Sequence, residues 1–302
     1  MSFDRLRQRL AGVVAIPVTP FDPAGDLDEP ALVAVLNRLV DGGIEVVTPN
    51  GNTGEYYALS DAETRRVVEL TVGAVGPRAS VVAGVGQSVP HAVAAAEHAR
   101  DTGAEAIMIH QPVHPYLSQD GWVAYHAEIA SAVPELGVLP YLRNPRIDGA
   151  HLAQLKAQAP NVLGVKYSVP DPVRFATVSR EAGLGEFVWI AGLAELAAPG
   201  YWAVGATGFT SGLANVDPAL SLGMLNALRA NDFPAAMAVW EKIRPFEALR
   251  AANEAENNVS VVKEALAQLD VCRREVRAPI STLSEAGRAR VAELLADWGL
   301  TK

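Results

Sequence analysis

The chain has 302 residues, half of them hydrophobic and a fifth charged, with a formal net charge of −9. That fits one large globular unit, and the acidity disfavours nucleic acid or an anionic membrane surface as a partner. A single cysteine, Cys272, excludes an intrachain disulfide and fits a reducing compartment.

The opening MSFDRLRQRLAG has no apolar leader core, and no apolar run approaches the ~20 residues of a membrane span. The expectation is a soluble, cytoplasmic protein. Strand-like runs then follow at 12–21 (GVVAIPVTPF), 44–51, 80–86, 104–112, 137–143, 162–168, 187–192 and 206–212. They read as continuous apolar stretches, as parallel strands covered on both faces do. Between them lie segments such as EPALVAVLNRLVDGG, DAETRRVVELTVGAVG and VPHAVAAAEHARDTG. These carry Asp or Ser near their starts and Gly after their ends, the usual signals of helix boundaries. Eight β-then-α units predict an α/β fold, a (β/α)8 TIM barrel. An open doubly wound sheet would use the same elements, because periodicity does not establish closure. Beyond residue 230 the strand signals stop. FPAAMAVWEKIRPFEALRAA, NNVSVVKEALAQLDV and SEAGRARVAELLADWGL read as three helices. The expected organisation is a barrel over 1–230 and a C-terminal helical domain over 231–302.

In such a barrel the chemistry sits at the C-terminal ends of the strands. Lys166, in VLGVKYS, is one of five lysines in the chain and lies in an apolar run. Burial lowers an amine's pKa, and a neutral amine can attack a ketone to form a Schiff base. A strand-end lysine that snorkels to solvent or pairs with a carboxylate is the plainer alternative. GNTGE at 51–55 can form a tight turn whose backbone N–H groups face a carboxylate, with the Thr53 hydroxyl able to relay a proton. Tyr141, at the end of the fifth strand, is a second proton carrier or simply a packed aromatic. His110 and His114 invite a metal reading, but the proline of HQPVH and the lack of an acidic ligand set speak against it. GATGFTSG resembles a phosphate loop, although its glycines have another explanation below. Tyr56, Tyr57 and Trp122 read as packing or pocket wall, and Glu55 as a side chain that orders its own loop by accepting backbone N–H bonds.

Taken in order, GVVAIPVTPF, GNTGE, the fifth-strand tyrosine, GVK, ATGFTSGLANV and the helical tail resemble the dihydrodipicolinate synthase / N-acetylneuraminate lyase family of class I, Schiff-base aldolases. The resemblance implies a (β/α)8 barrel with a helical extension. It also implies a homo-oligomer, tetramer or dimer, that binds pyruvate or a related 2-oxo acid without metal or organic cofactor. Carried over by position, Lys166 is the imine-forming residue and Tyr141 the proton relay. Gly51, Asn52 and Thr53 form the carboxylate loop, and Gly192 and Thr210 line the oxo-acid pocket. The pattern departs from the synthases at Asn52, where a threonine is usual, in the missing tyrosine pair of HQPVHPYLSQDG, and in YLRNPR, which offers Arg143 and Arg146. These departures lean towards sugar-acid substrates, with either arginine a candidate for a distal carboxylate or hydroxyl. Two other readings stand beside this one: a 4-hydroxy-tetrahydrodipicolinate synthase condensing pyruvate with aspartate semialdehyde, and a non-catalytic oxo-acid-binding barrel.

Overall fold

Eight parallel strands pair in sequence order and close on themselves in the computed structural model, which describes residues 3–300. They are β1 (Val13–Ala15), β2 (Val46–Val47), β3 (Ser80–Val85), β4 (Ala106–Ile109), β5 (Gly137–Leu142), β6 (Gly164–Tyr167), β7 (Val188–Ala191) and β8 (Gly208–Ser211). Val13 pairs with Phe209 and Ala15 with Ser211, so the sheet has no edge and the open doubly wound alternative is removed. The ladders are shorter than the apolar runs. β1 ends before Pro17 and Pro20, and β2 before Pro49. Proline offers no N–H to a ladder, so these residues become the start of the βα loops.

The barrel helices are α2 (Glu29–Asp41), α3 (Asp61–Val75), α4 (Val89–Thr102), α5 (Gln119–Ala132), α6 (Gly149–Gln158), α7 (Pro172–Glu181), α8 (Ala194–Trp202) and α9 (Pro218–Arg229). Their starts carry the expected caps. Asp28, Ser88, Ser118 and Asp171 each accept an N–H from the first turn, and Ser60 forms a capping box with Glu63. One face of each strand packs on these helices, in a layer that includes Val165, Tyr167 and Phe209. The other face fills the barrel with Val14, Val46, Val82, Met108, Leu139, Ile190 and Tyr141.

Among the described residues four α-helices sit outside the eight units, one before the barrel and three after it. The sequence gives little sign of α1 (Asp4–Leu10) because it is short and highly charged; it plugs the bottom of the barrel with Leu6 and Leu10. At the other end come α10 (Phe233–Ala255), α11 (Ser260–Gln268) and α12 (Glu285–Asp297). The backbone of α10 leaves helical geometry at Ala252, Asn253 and Glu254, with φ of 49° and 59° at the last two. That break turns the chain across the barrel mouth. No described helix is long and apolar enough to cross a membrane.

Candidate active site

Alternation along β6 decides where Lys166 points. Val165 and Tyr167 face the helices, so the side chain between them enters the barrel. Lys166 is 5% exposed. It pairs in register with Tyr141 on β5, and its Nζ lies 4.2 Å from the centre of that ring. Burial, aided by the nearby Arg143 guanidinium, pulls the amine's pKa down to about 7. No acidic group contributes to that balance, so the amine is held partly neutral rather than as half of an ion pair.

The amine opens into a cavity of about 330 Å³ at the C-terminal end of the strands. Asn52, Thr53, Tyr141, Arg143, Gly192 and Thr210 share this cavity with Lys166. Asn52 and Thr53 begin a single 3₁₀ turn, Asn52–Gly54, whose first N–H groups have no partner inside the turn. Gly51 does not line the cavity; a Cβ there would overlap the Ile16 side chain, so this glycine seats the turn on β1's exit. Asn52 Nδ2 donates to Tyr141 Oη at 3.3 Å. Burial raises the Tyr141 pKa, against the opposing pull of Arg143, Ser168 and Asn52. The phenol therefore stays protonated at neutral pH and can give a proton to a reacting atom. An amide at position 52 holds that phenol but cannot ionise to hand a proton on.

The two arginines of YLRNPR part company. Arg143 stands at the exposed rim of the cavity. Arg146 donates to the Leu117 carbonyl and lines a second hollow, on the far side of Tyr141 and Arg143, with Val113 and His114. The histidines also separate. His110 is buried, stacked 4.2 Å from Tyr56, and bonded to the Asn50 carbonyl at 2.8 Å. Burial pulls its pKa down to about 3, so it donates that bond as a neutral ring. His114 lies on the surface and bonds to Tyr116. Among the described residues no group of three His, Cys, Asp or Glu side chains could hold a metal ion.

Glu55 corrects the sequence reading. Instead of ordering its own loop, it reaches the tail. Its Oε1 pairs with Lys263 Nζ at 2.5 Å, both side chains fully buried, and its Oε2 accepts the Arg277 N–H at 2.9 Å. Lys263 also donates to the Glu275 carbonyl and lies over the Phe21 ring. The loop that carries Asn52 and Thr53 is thus fastened to α11.

Several cavity residues escaped the sequence reading. Ser168, two residues after Lys166 and hence on the same strand face, is buried just behind the cavity wall beside Tyr141; the period of two could have found it. Glu247, Arg250, Glu254 and Asn258 reach the cavity from α10 and the segment after it. No local pattern announces them, because their role depends on where the tail folds back.

Comparisons with known proteins agree with this geometry. A family model described as "Dihydrodipicolinate synthetase family" matches residues 9–297. A 4-hydroxy-tetrahydrodipicolinate synthase of Phenylobacterium zucineum is 35% identical over 294 residues, covering 96% of this chain and 97% of that one. A probable 5-dehydro-4-deoxyglucarate dehydratase of Ralstonia nicotianae is 33% identical over 289 residues, covering 94% and 92%. The crystal structure of a dihydrodipicolinate synthase from Bacillus clausii superposes with a TM-score of 0.94 at 41% identity, covering 98% and 100%.

Proposed function

This chain belongs to the dihydrodipicolinate synthetase family, and from that premise we propose that it is a class I lyase in which Lys166 forms an imine with a 2-oxo acid. The observation that carries the reading is a buried amine with no carboxylate beside it, facing a cavity. The neutral amine attacks the C2 carbonyl, and the carbinolamine loses water to give an iminium. Tyr141 gives a proton to the departing hydroxyl. The turn that Gly51 seats holds the C1 carboxylate through the N–H groups of Asn52 and Thr53, and Gly192 and Thr210 close the pocket around it. The iminium then accepts the electron pair released when a C–H or C–C bond at C3 breaks. After C3–H loss the enamine expels the protonated C4 hydroxyl as water. In the cleavage route the C4 hydroxyl gives up its proton as C3–C4 breaks, C4 departs as an aldehyde, and the enamine left behind is protonated at C3. Water finally returns the amine.

The substrate proposed is a 2-oxo acid derived from a sugar acid, supported by the amide at Asn52, by Arg143 at the rim and by the polar outer wall. Condensation of pyruvate with aspartate semialdehyde is the second reading, supported by the relatives that bear the synthase name. A cytoplasmic homo-oligomer of two or four copies belongs to the same proposal. Exposed Val113 and Tyr116, at 61% and 86%, support a contact between copies; a monomer by light scattering at micromolar concentration removes it.

The test is borohydride reduction in the presence of pyruvate, with peptide mass spectrometry to place the added mass, followed by a turnover panel. The expected adduct sits on the peptide containing Lys166. Release of pyruvate from a 2-keto-3-deoxy sugar acid, or of CO2 from 5-dehydro-4-deoxyglucarate, is expected to exceed consumption of aspartate semialdehyde. The reverse order establishes the second reading. An adduct without multiple turnovers on any probe leaves a binding protein, and no adduct at Lys166 ends the proposal.

A further inference from the structure

The half of the cavity opposite the lysine is built by the tail, and its chemistry is specific. Arg250 is 4% exposed and is locked in place on three sides. Its Nη1 donates to Glu247 Oε1 at 2.6 Å, its Nε to the Asn258 carbonyl at 3.2 Å, and its Nη2 to Asn258 Oδ1 at 2.7 Å. A guanidinium carries five N–H groups. Among the described residues, one N–H on each terminal nitrogen is left without a protein acceptor. The group lies so close over Gly212 that a Cβ there would overlap it. Behind Glu247 sits Glu195, whose Oε1 accepts from Ser221 Oγ at 2.6 Å. Burial, with Glu247 next in weight, pushes this carboxyl well above the usual range. It therefore backs the Arg250–Glu247 pair without adding a full negative charge.

Resting on the imine chemistry proposed above, we infer that Arg250, held by Glu247 and Asn258, is a specificity-determining residue that hydrogen-bonds the hydroxyl-bearing far carbons of an acyclic polyhydroxylated 2-oxo acid. Two observations point to hydroxyl groups rather than a second carboxylate at this wall, and a third favours recognition of either kind. The charge of Arg250 is already matched by Glu247, with Glu254 beside them in the lining, so no excess positive charge remains there for an anion. The wall mixes donors on Arg250 with acceptors on Glu247 and Asn258, and only a group that both gives and takes a hydrogen bond suits both. The fork is also rigid before anything binds, which limits the ordering that recognition requires. A bare methyl group, as in pyruvate, would leave those donors unused.

The experiment compares the concentrations at which pyruvate and 2-keto-3-deoxygluconate half-saturate borohydride trapping. It uses the wild type, Arg250→Lys, and the double variant Arg250→Gln/Glu247→Gln. The lysine keeps a cation opposite Glu247 but loses the fork; the double variant leaves no unpaired buried charge. The wild type is expected to favour the sugar acid over pyruvate roughly 10- to 100-fold, the weight of one or two hydrogen bonds to a charged group. Both variants are expected to erase most of that ratio, with an unchanged circular dichroism spectrum. A wild-type ratio near one overturns the inference, as does a ratio retained in either variant or a loss of trapping for both probes alike. Failure of the underlying imine reading looks different: the wild type then traps neither probe at Lys166.

Discussion

Lys166→Ala is expected to leave a folded barrel that traps no oxo acid with borohydride and has lost turnover by a factor on the order of 10⁶, the scale on which removal of a catalytic nucleophile is felt. Folding is expected to survive because the wild-type amine carries no ion pair that its removal would orphan. The wild type supplies a second readout. With the amine's pKa pulled down to about 7 by burial, the rate of imine formation rises as pH increases through 7 and then levels off. Stability follows the same group. An unfolded lysine keeps its proton to about pH 10.5, whereas the folded one releases it near 7. The unfolded state thus binds more protons between those limits, and the native state gains about 1.4 kcal/mol per pH unit across them. Below pH 7 both forms are charged and the burial penalty is felt in full. The alanine variant lacks that slope. A variant that unfolds, or trapping that is flat in pH between 6 and 8, gives Lys166 a structural role instead.

The second large effect lies 111 positions earlier in the chain, away from the reacting atoms. Glu55→Ala is expected to lower stability by about 3–5 kcal/mol, because it strands the Lys263 ammonium in a fully buried site. The double variant Glu55→Ala/Lys263→Met is expected to recover much of the loss, since the uncompensated charge goes with the lysine. Urea denaturation midpoints read both. The single variant should also slow trapping, because the turn holding Asn52 and Thr53 loses its anchor to the tail. If Glu55→Ala stays within about 0.5 kcal/mol of wild type, as an ordinary surface change does, the pair is not the clamp described.

The barrel was legible because burial on both faces of a parallel sheet leaves a mark in the sequence. VVA, AIMI and VWIA are all apolar and SVVAGV is apolar after its first residue, and the capping residues Asp28, Ser60 and Ser88 mark where α2, α3 and α4 begin. The lysine was legible for the converse reason: a cation among Val162, Leu163 and Val165 contradicts its surroundings. What could not be read was anything fixed by long-range return of the chain. Glu55 is adjacent in sequence to the turn it seemed to serve, but its partners lie more than 200 residues away. Arg250 and Glu247 look like an exposed helical ion pair until the break at Ala252–Glu254 folds their helix over the mouth. Arg143 and Arg146 differ by three positions, and only the path of the loop after β5 puts one at the cavity and the other beyond Tyr141.

That returning wall sets a timetable. During synthesis all eight strands have emerged once residue 211 is out, yet the lid-side groups at 247–258 come later. Until they arrive, the cavity beside residue 166 lacks the wall that Glu247, Arg250 and Asn258 supply. The pocket's outer wall is therefore the last part of it to be made, completed only when α10 and the segment after it dock on a barrel whose strands are already synthesised.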